Sequence, residues 1–184
     1  MGRKTRVEDE EKIIGAIFEV IGGPGKLKII FRDGLPLWGD AKHLMPTNAL
    51  FFTNQRLFFI FIDDVPTTAM EKVSAGLWPK RSEILVNLTR VKEKGKEMVV
   101  TMTPEEIFSS NKDNIILSYD EIKEVKLRKW KENATVGDSF TIKTIDKRKY
   151  KYLLLNIEEI KKLEQMLMNV LTSKTIIESR KLIR

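Results

Sequence analysis

The sequence predicts a mainly β domain with α-helix. Antiparallel strands are joined by tight turns, one amphipathic helix closes the C-terminal end, and a helical insertion separates two groups of strands. Three observations predict this. Residues 49–62 hold two apolar runs of β-formers joined by the polar tetrad Thr53-Asn54-Gln55-Arg56, the pattern of a hairpin or a sharply bent strand pair. Apolar and polar residues then alternate with period two in three stretches, at 125–128, 140–145 and 150–154. Finally, Ile157, Ile160, Leu163, Leu167, Val170 and Leu171 form a helical stripe behind Asn156, a good N-cap, with Glu159 placed to complete a capping-box-like start.

Taken in order, residues 1–11 form a charged tail. From Lys12 to Ile21 the spacing is helical while the β-branched content favours strand, so both remain open. Gly22-Gly23-Pro24-Gly25 breaks the chain, Leu27 to Phe31 reads as a strand, and Asp33-Gly34 turns it. After Asp63-Asp64-Val65-Pro66, about 64–110 reads as the insertion. Ile84, Leu85, Leu88 and Val91 make its stripe, and Thr103-Pro104-Glu105-Glu106 starts a second helix with Pro at its first position and acids in its first turn. Strand signals return at 115–119. Asp120-Glu121-Ile122 turns the chain, Val125 and Leu127 lie in one strand, and Phe140, Ile142 and Thr144 lie in the next. Asp146-Lys147-Arg148-Lys149 is a polar hairpin tip before Tyr150, Tyr152 and Leu154. Residues 172–184 are a basic tail with a single acid, Glu178, and either extend the helix or form a loose arm.

Three segments carry a resemblance. Leu50-Phe51-Phe52-Thr53-Asn54-Gln55-Arg56-Leu57 resembles the apolar-x-x-Thr-Asn-x-Arg-Leu signature of bacterial and archaeal pleckstrin-homology-like (PH-like) and GRAM-like domains. Residues 116–125 look like their I-P-Y-S-D-I-x-x-V segment, with Leu-Ser where Pro is frequent. Residues 140–152 are similar to their I-x-T-x-D-G-K-x-Y-x-F hairpin, with Lys147 in place of the usual Gly. The resemblance covers roughly 12–62 and 111–171. It implies a single domain over 12–171 folded as a PH-like barrel, two orthogonal antiparallel sheets capped by the C-terminal helix. It also implies a scaffold for binding lipids, peptides or other domains, and such a fold does not fix function. Lys26, Lys28 and Arg32 occupy the loop region that phosphoinositide-binding members use, without a close enough alignment to carry that role over.

Composition narrows the function. The 184 residues fit one domain, with 42% hydrophobic residues for a core and 32% charged residues for a heavily solvated surface. Net charge is +7, with pI near 9.5, which favours acidic partners. No apolar run reaches the roughly 20 residues of a spanning helix, and the basic N-terminus leads into Glu8-Asp9-Glu10-Glu11 rather than an apolar stretch. The expectation is a cytoplasmic protein, with peripheral membrane attachment in view.

An enzyme is not expected. With no cysteine and only His43, neither a thiolate nor a histidine metal cluster can be built within the chain, so no metal or cofactor is anticipated. Gly22-Gly23-Pro24-Gly25-Lys26 fails as a phosphate loop, because Val20 and Leu27 occupy the positions of the first glycine and the Ser/Thr. Arg56 reads as a structural residue of its turn, and Asn54 as one that tolerates a left-handed conformation. The candidate site is cationic. Lys143, Lys149 and Lys151 can meet across strands, Lys147 and Arg148 crown the tip, and Lys126, Arg128 and Lys129 precede them with Trp130 among them. Trp130 has the chemistry to enter a membrane interface or stack on a base. Trp78-Pro79-Lys80-Arg81 is a second aromatic-basic cluster. The functional expectation is a non-enzymatic binding or adaptor module for a protein partner or an anionic lipid surface. The alternatives are nucleic-acid binding through the same surface and homo-oligomerisation.

Overall fold

A computed structural model describes residues 10–24, 27–30, 36–39, 48–62, 81–130, 138–154 and 156–180. Among these residues ten strands are seen: β1 Ile13–Pro24, β2 Leu27–Ile30, β3 Pro36–Gly39, β4 Asn48–Thr53, β5 Arg56–Phe61, β6 Ile115–Ser118, β7 Ile122–Trp130, β8 Asp138–Thr144, β9 Lys149–Leu154 and β10 Thr175–Arg180. The helices are α1 Arg81–Thr101, α2 Pro104–Ser109 and α3 Ile157–Leu171. Eight strands form one sheet in the order β10-β7-β8-β9-β1-β4-β5-β6, and β2 and β3 form a separate ribbon. Neighbours pair antiparallel, except that β10 runs parallel to β7.

The expected barrel of two orthogonal sheets is therefore not what is seen. The main sheet is continuous and unclosed. All of its strands except β10 contribute to one core, and a short 3₁₀ corner, Tyr119–Glu121, carries the chain from edge strand β6 into β7. Closure would require β6 to pair with the free edge of β7, but β10 occupies that edge. The basic tail is thus a strand over Thr175–Arg180 rather than a loose arm or a longer helix. Exposed Ile176 and Ile177 remain on it.

Pleating of the strands sorts their apolar residues into two clusters on opposite faces. The inner cluster includes Ile17, Val20, Leu50, Phe52, Leu57, Phe59, Phe140, Ile142, Tyr152, Ile160, Leu163 and Leu167, so α3 covers this side. Tyr152 stacks on Phe59 with ring centroids 4.3 Å apart and on Phe140 at 5.0 Å. The outer cluster joins Ala16, Phe18, Ala49, Phe51, Phe58 and Ile60 to Val91 and Met98 of α1 and Ile107 of α2. The insertion is helical over its described residues and lies on β1, β4 and β5. Gly95 permits that approach, since a Cβ there would stand 2.6 Å from the Phe18 ring.

Of residues 12–21, all but Lys12 resolve as strand, because a bulge repairs their period. Glu19 has φ 65°, and the register with β4 shifts between Ile17 and Val20. The extra residue sets Ile17 and Val20 inside while Ala16 and Phe18 face α1. The α3 stripe forms as expected, except that Ile157 is 70% exposed. The Asn156 side chain accepts from the Glu158 N–H at 2.9 Å. The expected Glu159 capping contact is replaced by one across the fold, because the β1 bulge leaves the Phe18 N–H in need of an acceptor. The second helix start holds: Thr103 and Glu106 form a capping box, with Pro104 and two acids in the first turn.

Candidate anion-binding surfaces

The opening hairpin shows what the signature tetrad does. Thr53 Oγ1 accepts from the Gln55 and Arg56 N–H groups at 3.1 and 2.9 Å and donates to Glu11 Oε1 at 2.6 Å. Arg56 Nε donates to both Glu11 oxygens at 3.1 Å, and its guanidinium lies 5.4 Å from the Phe58 ring centroid. Burial pushes the Glu11 carboxyl up, but hydrogen bonds from Arg56 and Thr53 outweigh it and hold the carboxyl below its usual range. Arg56 is structural, as expected. Asn54 is not left-handed. It clamps the preceding segment instead, accepting from the Lys12 N–H at 2.9 Å and donating its own N–H to the Lys12 carbonyl at 3.1 Å.

The cationic residues largely gather as expected, but most meet carboxylates of this same chain. Register sets Lys143 opposite Lys149, and Lys126, Thr141 and Lys151 in one row across three strands. Lys126 and Arg128 both pair with Glu178 on β10, at 2.6 and 3.2 Å. Lys143 pairs with Glu124 at 2.6 Å. Those contacts hold the Glu178 and Glu124 carboxyls below their usual range, led by the hydrogen bonds from Lys126 and Lys143 respectively. Lys129 is not on this face; it bonds Glu164 of α3. Trp130 ends β7 opposite Arg180 in the register, and its side chain lies outside the described residues.

The β8–β9 tip is also self-contained in part. Arg148 donates to Asp146 at 2.6 Å and to the Tyr150 hydroxyl at 3.1 Å, and stands 3.4 Å from Glu121. Asp146, engaged first by the Thr144 hydroxyl, has its carboxyl lowered. Lys147 has φ 69°, the left-handed conformation that a three-residue hairpin loop requires at its last position. Lys147 and Lys149 are exposed, with no carboxylate partner among the described residues, beside Ile145 at 66% exposure.

Sequence reasoning missed a charged latch behind Phe18. Glu159 Oε2 accepts from the Phe18 N–H at 3.0 Å, and Asn156 donates to Glu19 at 3.0 Å. Lys92 of α1 reaches Glu19 at 3.3 Å and Glu159 at 3.5 Å. Burial pulls the Lys92 ammonium down, but Glu19 and then Glu159 outweigh it, and the net shift is upward. The latch joins the insertion, the bulge and α3. It has no motif, because its bonded members are 67–141 residues apart or sit behind a backbone irregularity. Beside it a groove of about 490 Å³ runs between β1, α1 and α3, with Phe18, Val99 and Val100 among its lining.

His43, Lys26, Arg32 and residues 78–80 lie outside the described residues, and Lys28 lies in β2. Among the described residues no group of three or more His, Cys, Asp or Glu is arranged to hold a metal ion. No described helix is long and apolar enough to cross a membrane. No protein-family model matches the sequence, and no curated protein matches it.

Proposed function

We propose that the chain is a non-enzymatic, PH-like binding module that engages an anionic membrane surface. The observation that carries this reading is the pairing of exposed apolar side chains with cations that have no carboxylate partner among the described residues, at Val99 and Val100 with Lys96 and Lys162 and again at Ile145 with Lys147 and Lys149. Each lysine near an anionic bilayer contributes about 1 kcal/mol, so a few such residues suffice for reversible attachment. The order of strands leading into a covering helix, with the three motif segments, supports the PH-like assignment. The buried acids Glu11, Glu19 and Glu159 are occupied in joining elements, which favours a scaffold over a catalytic site.

A phosphate backbone docking on β7 and β8 must compete with Glu178 and Glu124 for Lys126, Arg128 and Lys143. That makes nucleic acid the weaker reading. The exposed Ile176 and Ile177 on edge strand β10 favour a second reading, in which a protein partner or a second copy adds at that edge.

Vesicle co-sedimentation tests the proposal. The protein is expected to pellet with phosphatidylserine-containing vesicles, not with pure phosphatidylcholine, and to be released by salt. Equal binding to both vesicles, or none at low salt, overturns it.

A further inference from the structure

We infer that the groove between β1, α1 and α3 is the face that this module lays on an anionic bilayer. The inference rests on the membrane reading above and names its contact site. Its physical basis is an apolar floor and protruding apolar rim beside cations that form no ion pair with a carboxylate of the described residues.

Phe18 is the floor. Its ring packs against α1 at Gly95 and meets Phe51 edge-on, with centroids 6.2 Å apart. Its N–H is held by Glu159, so the strand beneath it is fixed. Around it stand Ile14, 47% exposed, with Val99 and Val100, the latter 85% exposed. Consecutive valines at the end of α1 cannot both face the core, because successive helical positions diverge by about 100°. Met98 takes the core side, and the valines are left toward solvent.

Lys96 and Lys162 flank this apolar surface. Both are exposed, and neither has a carboxylate partner among the described residues. The Lys162 ammonium lies 5.6 Å from the Phe18 ring centroid, directing a cation along the groove. The nearest acids behind the floor, Glu19 and Glu159, are already taken by Lys92, Asn156 and the Phe18 N–H. A partner that fits must present apolar matter to the valines and negative charge to the lysines at once.

A bilayer with anionic headgroups has that chemistry. A second copy docked by two-fold symmetry would bring the same lysines toward one another, which opposes association. A protein partner needs about 20–30 residues per side for a standard interface, whereas nine residues line this groove. A membrane sets no such minimum: small apolar side chains enter the headgroup boundary and lysines meet phosphate or carboxylate.

The test uses the full chain with phosphatidylcholine vesicles, with and without phosphatidylserine. Lys96→Glu/Lys162→Glu and Val99→Ser/Val100→Ser are compared with Lys147→Gln/Lys149→Gln at the hairpin tip. All six positions lie at the surface, and circular dichroism checks the fold. Losing two lysine contacts is expected to weaken binding at least tenfold, and the valine variant is expected to lose binding severalfold while the tip variant keeps most of it. If the groove variants bind vesicles like the parent while the tip variant does not, the groove assignment falls and the membrane reading stands. If the parent binds no anionic vesicle, the membrane reading falls and takes the groove with it. Unchanged vesicle binding in groove variants that lose a parental dimer, or lose binding to an acidic peptide such as polyglutamate, also overturns the assignment.

Discussion

Two cationic regions of this molecule look alike in composition and differ in availability. On the outer face of β7 and β8, Lys126, Arg128 and Lys143 each lie within 3.2 Å of Glu178 or Glu124. Beside the groove, Lys96 and Lys162 have apolar neighbours instead. A local count of lysines rates the first region higher. Pairing reverses the order, because a ligand at the first face must displace a carboxylate already in place, while at the second it displaces only water. Basic sequence therefore marks a charged surface, and the carboxylates that folding delivers determine which part of it is free to bind.

The comparison can be broken most strongly at its floor. Phe18→Ala is expected to destabilise the fold by about 3–5 kcal/mol, the usual cost of removing a buried phenyl ring, as measured by urea denaturation. The change opens a cavity beneath the groove and leaves the pairs on β7 and β8 unaltered. A cost below about 1 kcal/mol would mean that α1 does not pack there as described.

A second change makes the two regions alike. Glu124→Gln with Glu178→Gln frees Lys126, Arg128 and Lys143 without altering side-chain size. Affinity for anionic vesicles is expected to rise severalfold through added positive charge alone, with little stability lost, since these pairs are partly exposed and surface pairs contribute little. Unchanged affinity would show that this face does not approach the membrane even when its cations are released.

The smallest effect calibrates a paired cation in drier surroundings. Glu11, with a side chain 6% exposed, holds Arg56. Its folded carboxyl titrates below its unfolded one. Its contribution is therefore present above the unfolded value and is lost as pH falls through the folded one. The stability gap between the parent chain and Glu11→Gln is expected to be widest near neutrality and to close as pH falls through that range. A gap independent of pH would assign the clasp to hydrogen-bond shape rather than charge.

Much of the fold was legible locally. The 49–62 hairpin, the alternating strands β7 to β9, the Thr103 helix start and the α3 stripe depend on periods of two or 3.6 and on caps, all of which act within a few residues. The structural role of Arg56 was readable for the same reason, since a turn motif acts locally, although its partner Glu11 was not. Period failed over 12–21, where one left-handed residue, Glu19, resets the alternation. It failed again at 175–180, where a basic tail with one acid becomes a strand because β7 offers an edge and Lys126 and Arg128 offer partners for that acid. The groove had two faint signals: Val99-Val100 lies outside the α1 stripe, and Gly95 sits inside a helix.

The sequence by itself determined the elements, most of their inward faces and a surplus of positive charge, because propensity, periodicity and composition are properties of neighbouring residues or of the whole count. Tertiary structure decided whether the sheet closes, which carboxylate meets which lysine, and where apolar side chains remain uncovered. Each of those depends on residues far apart in the chain arriving within a few ångströms of one another. For Lys96 and Lys162, what decides their character is that no carboxylate of the described residues pairs with them.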